Sequence, residues 1–382
     1  MKTPKPDNDL KNNLKAVRTR LGLSQNELAG AAGIARQTIG GIEASRYAPS
    51  AAVALRLART LGCSVEELFW LEEEPVQTVR ALKARGGNSR SEAGERVIVG
   101  QVGGKFVAHG LSGEEAFRSE MIPADGIAGR AQNDEVEVQL LDTMESLSRS
   151  VLIAGCSPSL SLWTRSAQRW HPNLRANWIH ANSTQALGAL ERGEVHIAGL
   201  HLCAPDTGEE NVPFVRPLAE NGAIVLINFG VWDEGLLVAK DNPKRIRGIA
   251  DLGNENINFL NREAGAGSRM LFDTLLTQDQ VPAEAISGYG QIATSHRSVA
   301  NAIYEGKADA GMGTAAMAQL YNLDFIPMRQ VRFDFAVRSK YLKEEPVAQL
   351  FETLSHKAVR LQLEKLGGYD TTRTGDVMAR LG

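Results

Sequence analysis

Cysteine is scarce in this chain: Cys63, Cys156 and Cys203 are the three in 382 residues. Their spacing matches no metal-binding pattern and any disulfide scheme leaves one unpaired, which excludes a disulfide-stapled fold and fits a reducing compartment. Long apolar runs are missing as well. Without ~20 uninterrupted apolar residues, and without a secretory leader, the expectation is a soluble cytoplasmic protein with no membrane partner. A one-sided charge is also absent, since the formal net charge is only -3. That total conceals a division. Residues 1–70 hold 10 Lys and Arg against 6 Asp and Glu, and the remainder holds 32 against 39. A basic head on an acidic body restricts phosphate contact to the head. The length suits two or three domains of roughly 100–200 residues each, and no internal repeat is present.

The head is organised around residues 24–43, S-Q-N-E-L-A-G-A-A-G-I-A-R-Q-T-I-G-G-I-E. Ser24 with Glu27 three residues on is a capping box. Leu28 and Ala32 keep a helical apolar spacing, Gly33 supplies a turn, and a second helix is expected over 35–44. In a DNA-binding helix-turn-helix the second helix enters the major groove by its N-terminal end, here Arg36, Gln37 and Thr38. Arg reads guanine and Gln reads adenine, each with about 1–3 kcal/mol of discrimination. Ser24, Gln25 and Arg46 complete the expected DNA-facing set. Gly40 and Gly41 weaken the helix by ~1 kcal/mol each relative to Ala, and Gly41 removes a potential base contact. Leu10, Leu14, Val17 and Leu21 mark a first helix, Pro49 and Ser50 open a fourth, and Ser64 caps a fifth running to Trp70.

Residues 10–70 resemble the lambda-repressor/Cro-like (XRE) helix-turn-helix family in Arg18, the G-L-S-Q-N-E-L-A and R-Q-T-I-G-G-I-E runs, Pro49 and L-G-C-S-V-E-E-L-F. They depart from it at Ala35, where a Ser or Thr cap is usual. The resemblance implies double-stranded DNA as a partner, bound by a homodimer at a palindromic operator.

Residues 71–96 read as a linker, low in hydrophobicity and ending in G-G-N-S-R-S-E-A-G-E. V-I-V-G-Q-V and K-F-V-A-H then alternate about Gly103 and Gly104, a hairpin turn. Val136, Val138 and Leu140 continue the alternation, so 97–141 is expected to be a small β-rich connecting segment. From Val151 strands and helices alternate, which argues a parallel sheet covered by helices. This α/β unit is assigned to 142–382, with a second lobe at about 228–312 and one long helix over 345–366.

Ligands of open α/β sheets bind at strand ends, and three such ends carry polar groups. N-R-E-A-G-A-G-S-R, 261–269, follows a strand and opens a helix. Gly265 and Gly267 admit backbone N–H groups to a ligand, Ser268 adds a hydroxyl, and Arg262 and Arg269 supply the countercharge if both face inward. The third glycine of a dinucleotide fingerprint is absent. Ser157 and Ser159 open one helix, and Asn182, Ser183 and Thr184 another; simple capping is the alternative for each. His201 and Asn211 are placed in a loop over the ligand, and His296 begins a helix after Ser295.

With A-G-C-S-P-S-L, G-A-L-E-R-G-E-V-H-I-A-G-L-H-L and S-H-R-S-V-A-N-A-I-Y-E-G-K-A-D-A-G-M-G, these segments resemble the periplasmic-binding-protein-like domain that occurs fused to helix-turn-helix domains and is associated with molybdate or tungstate sensing. Ser157, where Asp is usual, and Ala266, where a small polar residue is, are departures. The resemblance implies a type II fold of two lobes with a small anionic ligand between them. The expected architecture is an all-α helix-turn-helix domain plus a two-lobed α/β domain, with a small β-rich segment between. The expected function is a one-component, ligand-responsive transcription regulator with molybdate or tungstate as effector. A small organic acid is the alternative, and would want an apolar wall from Trp163, Trp178, Trp232 and Tyr289. An enzyme tethered to DNA, using Cys156 or Cys203 with His196, His201 or His296, lacks any nucleophile motif; a protein-docking module is a further alternative. No catalytic residue, cofactor or metal ligand is expected.

Overall fold

The structure is a computed structural model that describes residues 10–71, 78–85, 96–110, 122–132 and 135–382. The chain divides into two compact units, Met1–Val76 and Gln77–Gly382.

The first unit runs β1 (Leu10–Asn12), α1 (Leu14–Arg20), α2 (Gln25–Ala32), α3 (Arg36–Glu43), α4 (Ala51–Leu61), α5 (Val65–Leu68) and β2 (Phe69–Leu71). Leu14, Leu28, Ile39, Leu57 and Leu68 are fully buried in its core. The Ser24 box forms as the sequence predicts, with Glu27 N–H donating to Ser24 Oγ at 3.2 Å and Ser24 N–H to Glu27 Oε2 at 2.7 Å. Gly33 closes α2 in the left-handed region, φ 63°. The helix expected from Leu10 begins instead at Leu14. Leu10–Asn12 pairs antiparallel with Phe69–Leu71, and Asn12 ends the strand by accepting Leu14 N–H at 3.3 Å while donating to Ile42 O at 2.9 Å. The same pairing stops the fifth helix at Leu68 rather than Trp70.

The second unit opens with a closed barrel of β3 (Thr78–Lys83), β4 (Arg96–Val102), β5 (Lys105–Gly110), β6 (Gly126–Gln132) and β7 (Glu135–Leu140), in the order β3-β5-β4-β6-β7. The expected linker therefore contains a strand. Ala81, with Val79 packed beside it, joins Val97, Val99, Val136 and Val138 in the barrel core, a short alternation hidden between Glu-rich and Gly/Ser-rich flanks. The rest of that linker, 72–77 and 86–95, lies outside the described residues. Gly103 and Gly104 make the β4–β5 turn at φ 56° and 80°. The barrel sits on the sheet that follows: a Cβ on Gly100 would lie 2.7 Å from Leu152 Cγ. His196 accepts Leu152 N–H at 3.0 Å and donates to Gln101 O at 3.1 Å.

The sheet that follows holds β8 (Ser150–Gly155), β9 (Arg175–His180), β10 (Ile197–Leu200), β11 (Ile224–Val238), β12 (Phe259–Arg262), β13 (Ile292–Ala293), β14 (Ala310–Thr314) and β15 (Asp324–Arg338), in the order β13-β12-β14-β11-β15-β10-β8-β9. β16 (Tyr369–Asp370) and β17 (Val377–Leu381) pair with β11. β8, β9 and β10 are parallel neighbours in one lobe, and β12, β13 and β14 in the other. β11 and β15, 15 residues each and antiparallel throughout, cross between them. The second lobe accordingly occupies 239–323, later than the expected 228–312, because 228–238 belongs to a crossing strand. The helix expected over 345–366 is two, Glu345–Glu352 and Lys357–Lys365. Between them Thr353 donates to Leu350 O at 2.7 Å and accepts the Trp163 indole N–H at 2.9 Å, and His356 is extended.

Candidate nucleic-acid interface and ligand cleft

In the first unit, Arg36 and Gln37 are exposed at the start of α3, Thr38 is half-buried beside them, and Arg46 is exposed beyond its end. Ala35 caps α3 without a side-chain bond. Ser24 is committed to its capping box, and Gln25 donates to Glu43 Oε2 at 2.8 Å. Gly41 has a packing reason in place of the expected lost base contact: it is buried, and a Cβ there would lie 2.4 Å from the Tyr47 ring.

In the second unit, strand ends and helix starts from both lobes meet across the crossing strands. Cys156 follows β8, Ser183 opens the helix Ser183–Glu191, and His201 follows β10. From the other lobe come Arg262 at the end of β12, Ser268 in the helix Gly267–Gln278, and His296 at the start of His296–Tyr304. All six are buried. The lobes touch directly: Thr184 donates to Gly265 O from its backbone N–H at 3.2 Å and its hydroxyl at 3.0 Å, and Asn182 Nδ2 donates to Ala264 O at 3.3 Å. Two glycines permit this approach. Gly265 has φ 86°, and a Cβ on Gly267 would lie 2.1 Å from His201 O. The cleft is closed.

Several expected contacts are on its floor. Ser157 and Ser159 share a 2.6 Å hydrogen bond, and both reach the Tyr369 hydroxyl, at 3.2 and 3.0 Å. Ser183 Oγ accepts His201 N–H at 3.3 Å. Arg262 is fully buried and bidentate to Glu263, at 2.8 and 3.0 Å, with Nη1 left without a hydrogen-bond partner among the described residues. Two expected contacts are elsewhere. Arg269 reaches one turn on along its own helix to Asp273 at 2.9 Å and lies 4.3 Å over the Tyr289 ring, so only one of the two arginines faces inward. Asn211 is saturated structurally: it accepts Leu202 N–H at 2.8 Å and donates to Arg332 O at 3.1 Å and Asp334 Oδ2 at 2.9 Å.

The sequence reading missed Glu234. It lies on β11, is fully buried, and accepts the Ser268 hydroxyl, with its Oε2 3.7 Å from His201 Nε2. Its one legible signal was a carboxylate between Trp232 and the apolar run Leu236–Val238, a poor place for a solvated charge. Burial pushes the Glu234 carboxyl up to about 7, against the Ser268 hydrogen bond and the Arg262 charge. Burial likewise pushes the Cys156 thiol up to about 12 and His201 down to about 3, and holds His296 well below the usual imidazole range. The thiol and both imidazoles are therefore neutral. His201 Nε2 and both His296 ring nitrogens have no hydrogen-bond partner among the described residues, and Glu234 Oε2 and the Trp232 indole N–H make no well-formed one, although the indole still favours the ionised Glu234 carboxylate. Such a concentration of unsatisfied buried groups asks for a ligand.

The model of a PBP superfamily domain matches residues 164–355, and that of a helix-turn-helix matches 14–68. The uncharacterized protein YvgK of Bacillus subtilis is 35% identical over 199 residues, covering 52% of this chain and 64% of YvgK. This chain thus spans less than two thirds of that relative's length. The uncharacterized HTH-type transcriptional regulator YgzD of the same organism is 42% identical over 65 residues, 17% of this chain and 98% of YgzD. Among solved structures, a Clostridium perfringens protein with bound phosphate is similar with TM-score 0.46 and 14% identity, over 58% of this chain and 99% of its own. The chain belongs to the PBP superfamily and carries, ahead of its two-lobed α/β domain, a helix-turn-helix domain.

Proposed function

We propose that the protein is a ligand-responsive transcription regulator. The helix-turn-helix unit reads DNA through Arg36 and Gln37, and a small molecule bound between the two lobes changes its affinity for that DNA. Support for the first half is the helix-turn-helix with an exposed Arg-Gln pair at the start of α3, on a head whose charge suits phosphate. A homodimer placing two copies of α3 about one helical turn of DNA apart fits a palindromic operator. Enzyme activity finds no support in the cleft, where Cys156 is a buried neutral thiol.

The observation that carries the ligand half is Arg262: a fully buried guanidinium, bidentate to Glu263, whose Nη1 has no hydrogen-bond partner among the described residues. A buried cation on one lobe, with the neutral hydroxyls of Ser157, Ser159 and Ser183 at strand and helix ends of the other, suits a small oxyanion, and molybdate or tungstate is the effector proposed. A small organic acid is less well served. Trp163 stacks on Phe335 in the core, Trp178 donates to Gly155 O, and Tyr289 lies under Arg269, which leaves Trp232 alone beside the cleft.

The test is a thermal melt of ligand-stripped protein with molybdate, tungstate, sulfate, phosphate and small organic acids. A ligand at 100 times its Kd stabilises by about 2.7 kcal/mol. Stabilisation by molybdate or tungstate that disappears in Arg262→Ala supports the reading; stabilisation by organic acids alone replaces the effector. For the head, duplexes selected from a random pool should bind Arg36→Ala about 10- to 100-fold more weakly, the factor for one bidentate base contact. Unchanged affinity removes Arg36 from the interface.

A further inference from the structure

The anion reading uses Arg262 and the hydroxyls, and leaves Cys156, His201 and His296 without a purpose. These three side chains each bring one ligand atom to a common point, all within 4.8 Å of one another, and all three are buried. Cys156 Sγ is 3.5 Å from His201 Nδ1, and the two imidazole centroids are 5.8 Å apart. Both ring nitrogens of His296 are unpartnered among the described residues, as is Nε2 of His201. A ring buried for packing alone places at least one nitrogen on a donor or acceptor, as His196 does with both of its own and His201 does with Nδ1, 3.4 Å from Ser183 Oγ; His296 places neither.

We propose that Cys156, His201 and His296 form a site for a transition-metal cation of the zinc class, made when the two lobes close. One thiolate and two imidazoles are the donor set that such borderline-soft ions prefer, and tetrahedral coordination brings ligand atoms to roughly 3.5 Å of one another. The cluster needs to contract by about one bond's adjustment to reach that spacing. Glu234 stands at the opposite nitrogen of His201, with Oε2 3.7 Å from Nε2. A carboxylate there orients a metal-binding imidazole from behind. A divalent ion there meets the Cys156 thiolate and Glu234, and the bidentate pair with Glu263 offsets part of the charge of the neighbouring Arg262 guanidinium. On binding, the Cys156 proton leaves to solvent as the S–metal bond forms. The fourth coordination position is open, to water or to an oxygen of an anion held by Arg262. Cys156 and His201 belong to one lobe and His296 to the other, so the ion fastens the closed form. No metal-ligand spacing marks the three, which are 45 and 95 residues apart along the chain and converge only through the sheet.

The test uses the full chain, reduced and stripped with chelator, titrated with Co2+ alone. The expected result is one tight equivalent, with the thiolate-to-cobalt charge-transfer band and the strong visible bands of a tetrahedral site, displaced by Zn2+. Cys156→Ser should lose the charge-transfer band, and His296→Gln should weaken binding at least 10-fold. A Cys63→Ser/Cys203→Ser double variant leaves the cluster untouched and Cys156 the single thiol; it should keep the wild-type spectrum. Absence of a stoichiometric Co2+ spectrum, or loss of the thiolate band in that double variant, overturns the proposal even if the cluster variants fail to fold. Melting of metal-free protein with molybdate reads the anion site separately, so either reading can fail alone.

Discussion

Two carboxylates buried among arginines, one in each unit, have opposite surroundings. Glu43 at the end of α3 takes two hydrogen bonds from Arg18, at 2.6 and 3.2 Å, and one from Gln25 at 2.8 Å. Burial raises its pKa, but these donors and the Arg18 charge outweigh burial and hold it below the usual carboxylate range. Glu234 receives one hydroxyl hydrogen bond, its nearest guanidinium is turned to Glu263, and its carboxyl rises. The first group is satisfied by its own chain and ties α1, α2 and α3 together. The second is one of several left poorly satisfied at a closed cleft, which on the proposed function is a group kept for a ligand rather than for the fold.

The largest expected effect is at the satisfied site. Glu43→Ala strands Arg18, and breaking a mostly buried ion pair from one side costs about 3 kcal/mol, read as lost amide-exchange protection across α1–α3 in the full chain. The pH dependence has a definite sign. A carboxylate whose folded pKa lies below its unfolded value contributes stability that is fully present above the unfolded value, near 4.5, and is lost as pH falls through the folded one. Protection of α3 should therefore decline as the solution is acidified below about pH 4.5, and Glu43→Gln should remove that part of the decline. If Glu43→Ala leaves protection intact, the Arg18–Glu43 joint is not structural and the comparison fails on that side.

A smaller effect is expected at the contact between lobes. Thr184→Val removes a hydroxyl bond to Gly265 O but keeps the backbone N–H bond beside it. One partly exposed hydrogen bond is worth about 0.5–1 kcal/mol. Its loss should shift the ligand-free protein toward open lobes, seen as a larger radius of gyration in X-ray scattering, with the unfolding midpoint little changed. A radius unaffected by Thr184→Val would assign closure to other contacts.

Much of the helix-turn-helix was legible because its signals are local. Ser24, Glu27, Gly33, Ser50 and Ser64 punctuate short helices within a few residues of where they act. The exception, Leu10, failed because its partner in the strand pair, Leu71, is 61 residues away, and an apolar residue at helical spacing looks the same in a short strand. In the α/β unit the strand ends that build the cleft could be read one by one, and Arg262, Ser157 and Ser183 were. Which of them converge could not. The network that saturates Asn211 and the approach of Cys156 to His296 depend on tertiary packing between elements far apart in sequence, whereas the pull of Asp273 on Arg269 is an i,i+4 pair within one helix, a local signal that the sequence reading missed. Glu234 was hidden by the same cause, since nothing in V-W-D-E-G tells a solvated strand carboxylate from one enclosed by two lobes.

The smallest expected effect is at Glu234 itself. Glu234→Gln keeps the acceptor for the Ser268 hydroxyl and removes a buried charge whose second oxygen makes no well-formed hydrogen bond. In metal-free protein near neutral pH that exchange should cost nothing measurable in the chemical denaturation midpoint, and any change should be a gain, because an unpaired buried charge opposes folding. Under the same conditions the corresponding Glu43→Gln should be clearly destabilising, since Arg18 then faces a neutral amide. Equal losses at the two positions would mean that Glu234 is held by the fold after all. A loss at Glu43 with none at Glu234 keeps the distinction, and leaves ligand or metal binding as the property to which the Glu234 carboxylate contributes.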